Sequence, residues 1–330
     1  MVKGSEVCVL MTKKLNTLGV TVQSVSDRAK IDSAIKRLLA NKSILAYILK
    51  YTVEEFGTLE RKEIEELIEN PSVSSVPVAP GSTNDLVTGL PQEIKEPAEG
   101  VTTYDIRFFA RSPRGDTPAE YTLIINVEAQ SGSRKKSYDY ETRGIVYCSR
   151  MISEQLGRNV THSHYENVQK VYSIWIIMDD TQEAANTISE CGITNRTVAG
   201  KYDNDPRVDL MRVVVIRLPK DREAGKAKNP ATKLTEMLST LLSQIITPEK
   251  KLDDLENKFD IPITEEIREE ANDMCNYSDS LVYTTQEQVA IRMLKQGKYS
   301  DEDIAYSSGL ELEDVEDLKD ELKKEDTVMA

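Results

Sequence analysis

Histidine is nearly absent from this 330-residue chain. Only His162 and His164 occur, which argues against a histidine-based metal or nucleophilic centre. Their His-x-His spacing falls in a polar connector, where both are expected to face solvent. Four cysteines, Cys8, Cys148, Cys191 and Cys275, include no Cys-x-x-Cys pair, so they read as reduced thiols and not as a zinc site or disulfide frame. Long apolar runs are missing too. No stretch approaches the roughly 18 consecutive apolar residues of a transmembrane helix. The patch Val7-Cys8-Val9-Leu10-Met11 is cut short by Lys13 and Lys14, unlike a secretory h-region with its cleavage site. These absences together predict a cytoplasmic protein with no membrane partner, long enough to bury a substantial core.

Basic charge is also in short supply. The net charge of −14 argues against a protein that handles nucleic acid, but its distribution weakens that objection. Residues 301–330 hold twelve acidic residues and three lysines, a net −9. Residues 101–150 hold eight basic and six acidic residues, a net +2. Arg111, Arg114 and the run Arg134-Lys135-Lys136 lie in this part. They read either as phosphate contacts or as a solvated charged surface.

What the chain does have is a pair of polar-faced strand patterns at residues 103–107 and 121–130. Along the second, Leu123, Ile125, Val127 and Ala129 alternate with Ile124, Asn126, Glu128 and Gln130. Period-two spacing therefore puts Glu128 and Gln130 on one face and an apolar row on the other. In the first, Asp105 and Arg107 are expected to share a face. The Pro- and Gly-containing stretch 111–118 between them suggests a hairpin that brings Asp105 to Glu128. Most strand carboxylates simply face water. Residues 121–130 are otherwise as apolar as an interior strand, however, and a carboxylate there needs a partner or a cation. Two carboxylates and an amide on one face make a hard-cation site able to activate water against a phosphodiester.

Around this pair the pattern alternates helices and strands. Residues 1–27 read as a flexible lead-in. An apolar stripe of helical spacing runs from Ile31 to Leu49, and a short acidic helix covers 60–69. Residues 71–100, with five prolines and three glycines, read as a long connector. A helix is expected at 138–156, then buried strands at 172–178 and 210–218. Strand, helix, strand predicts parallel pairing through a right-handed crossover. From Thr232 the chain becomes helical, with helices expected at 264–276 and 286–295. Ser300 is placed as an N-cap and Gly309 as a helix stop. Residues 304–318 resemble a helix-turn-helix whose acidity favours packing or self-association over DNA reading.

An Asp on one strand followed by Glu-x-Gln on the next resembles the PD-(D/E)XK nuclease superfamily. Ordered phrases extend the likeness to its Rpn-like, transposase-associated branch. They are Asp32-Ser33-Ala34-Ile35-Lys36-Arg37-Leu38-Leu39, Asn126-Val127-Glu128-Ala129-Gln130, Arg143-Gly144-Ile145-Val146-Tyr147, Val171-Tyr172-Ser173-Ile174-Trp175-Ile176 and Ile304-Ala305-Tyr306-Ser307-Ser308-Gly309-Leu310. The resemblance implies an α/β fold: a mixed central β-sheet flanked by helices, a restriction-endonuclease-like core, with a helical C-terminal region. It divides the chain into the lead-in 1–27, a nuclease-like domain 28–230 and an acidic helical region 231–330, which could mediate homo-oligomer formation.

The implied activity is metal-dependent endonucleolytic hydrolysis of DNA, associated with transposition or recombination. Asp105, Glu128 and the Ala129 carbonyl would hold Mg²⁺, with Mn²⁺ as the alternative. Gln130 would orient the attacking water where many relatives carry lysine, since a neutral amide neither accepts a proton nor supplies charge. Supporting positions are Asp32, Lys36, Tyr138 and Arg143. Asp32 either supports the metal centre or caps a helix. Lys36 either contacts the scissile phosphate or is a solvated helix charge. Arg143 either forms bidentate phosphate contacts or pairs with Glu141 or Asp139. Trp175 belongs in the core. Two other function classes stay open: a nuclease-fold protein that binds DNA or protein without cutting, and an assembly protein acting through its acidic tail.

Overall fold

The computed structural model describes residues 17–69, 72–73, 93–96, 100–103, 105–113, 122–131, 139–157, 160, 162–178, 184–201, 206–220 and 233–329. The chain packs as two compact units, residues 33–272 and residues 1–32 together with 273–330.

The strands, in chain order, are β1 (Ser72–Val73), β2 (Glu93–Glu96), β3 (Gly100–Thr103), β4 (Ile106–Arg111), β5 (Thr122–Ser131), β6 (Val171–Met178), β7 (Thr187–Gly192) and β8 (Met211–Arg217). Six of them form one sheet in the order β1-β4-β5-β6-β8-β7, while β2 and β3 make a separate ribbon. β4 runs antiparallel to β5, the β5–β6–β8 trio is parallel, and β7 closes the edge antiparallel to β8. This is the mixed α/β sheet expected from the sequence. Both faces of β6 are buried, which is why it reads as an almost continuous apolar run.

The helices are α1 (Thr17–Leu39), α2 (Lys42–Thr52), α3 (Arg61–Leu67), α4 (Tyr140–Ser153), α5 (Lys233–Leu242), α6 (Pro248–Phe259), α7 (Glu265–Gln296), α8 (Asp301–Ser308) and α9 (Leu312–Met329). The expected lead-in is helical from Thr17, and residues 1–16 lie outside the described residues. The apolar stripe from Ile31 to Leu49 is shared by two helices. Asn41 breaks it, its side chain accepting a hydrogen bond from the Ser43 N–H to cap α2. The two helices expected over 264–276 and 286–295 are one. Residues 265–296 contain neither Gly nor Pro, so nothing in the backbone interrupts α7. Helices α5 and α6 lie in the same unit as the sheet.

Helix α4 covers one sheet face, packing Tyr147, Cys148 and Met151 against Ile124, Val171, Trp175, Ile177, Val213 and Val215. Gly144 permits the approach: a Cβ there would collide with a Val213 methyl group. At the start of β6 and β8 a buried polar network pins the opposite face. Lys170 contacts Glu55 at 3.0 Å and Asp209 at 2.6 Å, and the Tyr172 hydroxyl donates to Glu55 at 2.7 Å. Tyr172 is pushed far above the ordinary phenol range by burial and the Glu55 charge.

In the second unit, Ala290 and Ile291 of α7 pack with Ile304, Leu310, Val315 and Leu318. Ser300 caps α8 in a reciprocal box with Asp303, and Gly309 ends it at a φ of 77°. Both features stand where the sequence places them.

Candidate active site

The carboxylates of Asp105 and Glu128 meet where the β4–β5 ladder ends. Ile106 pairs with Val127, so Asp105 immediately precedes the first paired residue of β4. Its backbone N–H donates to Glu128 Oε1 at 3.1 Å. The Ala129 N–H in turn donates to Asp105 Oδ2 at 3.3 Å. Each acid is thus fixed by the backbone of the other strand. Asp105 is 9% exposed and Glu128 2%.

One expectation needs correction here. The segment 103–107 is not a continuous strand: Thr103 belongs to the β2–β3 ribbon and Ile106 to the main sheet, with Asp105 at the break between them. Arg107 is 1% exposed and forms an ion pair with Glu154 at the end of α4. Unpaired burial of a guanidinium would be costly, and Glu154 offsets it.

Electrostatics single out Glu128. Burial, and then the nearby charge of Asp105, raise its pKa well above the ordinary carboxylate value, opposed by the Asp105 N–H, the Asn126 side chain and Arg143. Tyr147 is raised as well, by burial first and the Glu128 charge second. The Arg143 charge opposes both shifts. Its guanidinium sits 5.1 Å from the Trp175 ring centroid and 5.3 Å from that of Tyr147, and it donates to the Tyr147 hydroxyl at 2.9 Å. Glu141, one of its two alternative partners, is engaged by Arg217 and Ser189.

Lys36 comes from the last turn of α1, its Nζ 3.0 Å from Asp105 Oδ1. It is therefore no solvated helix charge. Gln130 is two residues beyond Glu128 on β5, on the same face by alternation, and half-buried. Asp32 lies in the interior of α1, which rules out the N-cap reading, and belongs to the other compact unit. Tyr138 lies outside the described residues, as do Arg114, Arg134, Lys135 and Lys136. Arg111 is at the far end of β4 from Asp105, paired with Thr122 and donating to the Glu66 carbonyl, so it is not placed to serve this cluster. Trp175 is fully buried, as expected.

Two participants carried no role in the sequence reading. Tyr147 follows Arg143 by four residues, the helical spacing that puts both on one face, and that spacing was the available signal. Asn126 is fully buried beside Glu128 and shares Ser173 with Trp175, which donates to that hydroxyl at 2.9 Å.

Among the described residues no three acidic, histidine or cysteine side chains converge as a metal cage. A cation here would take the two carboxylates, the Ala129 carbonyl and water. That hard-oxygen set fits a divalent ion.

A family model, the PD-(D/E)XK nuclease family transposase, matches residues 118–293, just over half of the chain. The chain belongs to this family. Membership fixes a restriction-endonuclease-like α/β fold and a nuclease or transposase-associated role. The matched span contains Glu128, Gln130, Arg143 and Tyr147, while Lys36 and Asp105 precede it. Searches of curated proteins and of solved structures find no match. Among the described residues no helix is long and apolar enough to cross a membrane.

Proposed function

We propose that this family member is a metal-dependent endonuclease that hydrolyses phosphodiester bonds of DNA in transposition or recombination. The observation that supports this most is the interlocked, buried Asp105–Glu128 pair where β4 begins alongside β5. Asp105, Glu128 and the Ala129 carbonyl would hold the cation, Mg²⁺ with Mn²⁺ as the alternative. When bound, the cation supplies Lewis acidity, lowering the pKa of its water and offsetting charge at phosphorus. The backbone N–H groups of Asp105 and Ala129 hold the carboxylates at a fixed spacing. Gln130 orients the attacking water through its amide. Arg143, clamped on Tyr147 and Trp175, tempers the negative charge of Glu128. Tyr138 remains a supporting position by resemblance alone.

In functional terms the work of cutting falls to residues 28–230, and the acidic helical region 231–330 serves packing or self-association. A reducing cytoplasm is the proposed setting, in keeping with free thiols at Cys148, Cys191 and Cys275.

The test is cleavage of supercoiled DNA with Mg²⁺, Mn²⁺ or EDTA. Asp105→Ala and Glu128→Ala should each abolish metal-dependent cutting, and Gln130→Ala should weaken it less. Cleavage that survives both carboxylate substitutions places the chemistry elsewhere. A wild type that retains DNA but cuts no form of it favours a binding role on the nuclease fold.

A further inference from the structure

Helix α4 carries a second seam, distinct from the one that faces the sheet. Tyr147, Cys148 and Met151 form its buried side. On another flank Thr142, Ile145, Ser149 and Ile152 recur at alternating steps of three and four, and Leu156 continues the spacing into the turn after the helix. Such spacing keeps residues on one flank and is the pattern onto which another helix packs. Ile145, Leu156 and the neighbouring Val146 are 46%, 52% and 48% exposed. Thr142 and Ser149 are exposed as well, and Ile152 is half-buried.

No ionisable side chain stands in this seam, although 30% of the chain is charged. Of the charged residues on α4, Glu141 pairs with Arg217, Arg143 donates to the Tyr147 hydroxyl, and Glu154 at the C-cap pairs with Arg107. The Ser149 hydroxyl donates to the Ile145 carbonyl at 2.8 Å, so Ser149 can be covered without stranding a polar group.

The charge pattern selects the occupant. DNA is held through its phosphates and needs cations, which the seam lacks. A two-fold contact sets each patch against itself, so in a chain of net charge −14 a charged face repels its own copy. This seam does not. Run antiparallel to itself about Ser149, it puts the smallest side chain at the crossing point. Ile145 then meets the second copy's Ile152, and the small Thr142 meets its larger Leu156, which fills space at both ends.

We propose that the Thr142–Leu156 flank of α4 is a self-association surface that docks antiparallel on the same flank of a second copy, with the two-fold axis at Ser149. This contact does not depend on the nuclease reading, and it uses a different face from the acidic tail. One helix flank covers less than the roughly 800 Å² per partner of a standard interface. The dimer is therefore weak, with a dissociation constant on the order of 10–100 μM.

Sedimentation equilibrium of the full chain over about 1–500 μM tests it. The mass should rise from one copy towards two with concentration. Ser149→Glu and Ser149→Arg should each weaken the dimer about 10-fold or more, because the new charge meets itself across the axis. Mixed in equal amounts, the two variants should recover the dimer, since Glu then faces Arg. Both should keep the wild-type circular dichroism, the position being exposed. If either does not, Ile145→Gln takes its place, removing apolar surface without adding charge, and should weaken the dimer about 5-fold. A wild type that stays monomeric throughout overturns the proposal. So does a dimer that these variants leave intact, which puts the contact on another face, the tail included. Loss in both Ser149 variants without recovery on mixing overturns the two-fold contact at Ser149.

Discussion

A single methyl group at Gly144 tests how the site is held. Helix α4 crosses the sheet so closely there that a Cβ would collide with a Val213 methyl and meet Trp175 Nε1 at 3.0 Å. Val213 is 1% exposed and β-branched, so it has no free rotamer to swing into. On an exposed helix, Gly→Ala gains about 1 kcal/mol of helix propensity. Here overpacking should cost about 1–3 kcal/mol. The net expectation for Gly144→Ala is a loss of about 0–2 kcal/mol where propensity alone predicts a gain. Val213→Ala on its own should cost about 2 kcal/mol by opening a small cavity. Combined, the new methyl occupies the vacated space, so the two changes should couple favourably by about 1–3 kcal/mol. Urea unfolding of the four proteins measures each term. Arg143 and Tyr147 ride on the same helix, so cleavage should fall in Gly144→Ala and return in the double variant. A Gly144→Ala protein stabilised by the full propensity gain, or a coupling near zero, would refute the close approach.

Other perturbations reach different parts of the molecule. Lys170→Met leaves Glu55 without its cationic partner and should cost about 3–5 kcal/mol in denaturant unfolding; a loss below about 1 kcal/mol would show the network to be solvated. Glu128 holds its proton more tightly folded than unfolded, so in metal-free protein its contribution to stability is fully present below the unfolded value and is lost as pH rises through the folded one. Metal-free Glu128→Gln should therefore be more stable than wild type at pH 7, with the gap closing towards pH 4, and a gap independent of pH would contradict the assigned burial and repulsion. Deleting residues 300–330 uncovers Ala290 and Ile291, which should change oligomeric state or solubility by light scattering while circular dichroism shows the sheet intact. Unchanged mass and solubility would count against a packing role for the tail.

What the sequence made legible was governed by local pattern. β5, β6 and β8 stand out because interior strands cannot carry many polar residues, and Glu128 stands out because it breaks that rule. The Ser300 cap and the Gly309 stop are readable because each acts on its own backbone. Asp105 is harder to read, since the chain leaves one sheet and enters another around it, and two-residue alternation does not register such a break. The Arg107–Glu154 pair was not legible for a related reason: Glu154 lies 47 residues away, at the C-cap of α4. The Lys36–Asp105 contact is equally non-local. The continuity of α7 was hidden by Ser, Thr, Tyr and Val in its middle turns, weak helix formers that neither break a helix nor announce one. β7 escaped notice because an edge strand whose positions are half-buried or exposed has little apolar signature.

That edge strand also limits how the protein can be joined by others. A sheet recruits a foreign strand through an unpaired border of backbone N–H and carbonyl groups. One border here is β7, six residues carrying Glu190, ending at Gly192 and crossed by the Arg212 side chain, which is itself tied to Glu190 at 2.6 Å. The other, among the described residues, is the two-residue β1. A visiting β-strand would find charge along the β7 border. Sheet extension, a route by which exposed strand edges lead to association, is blunted there.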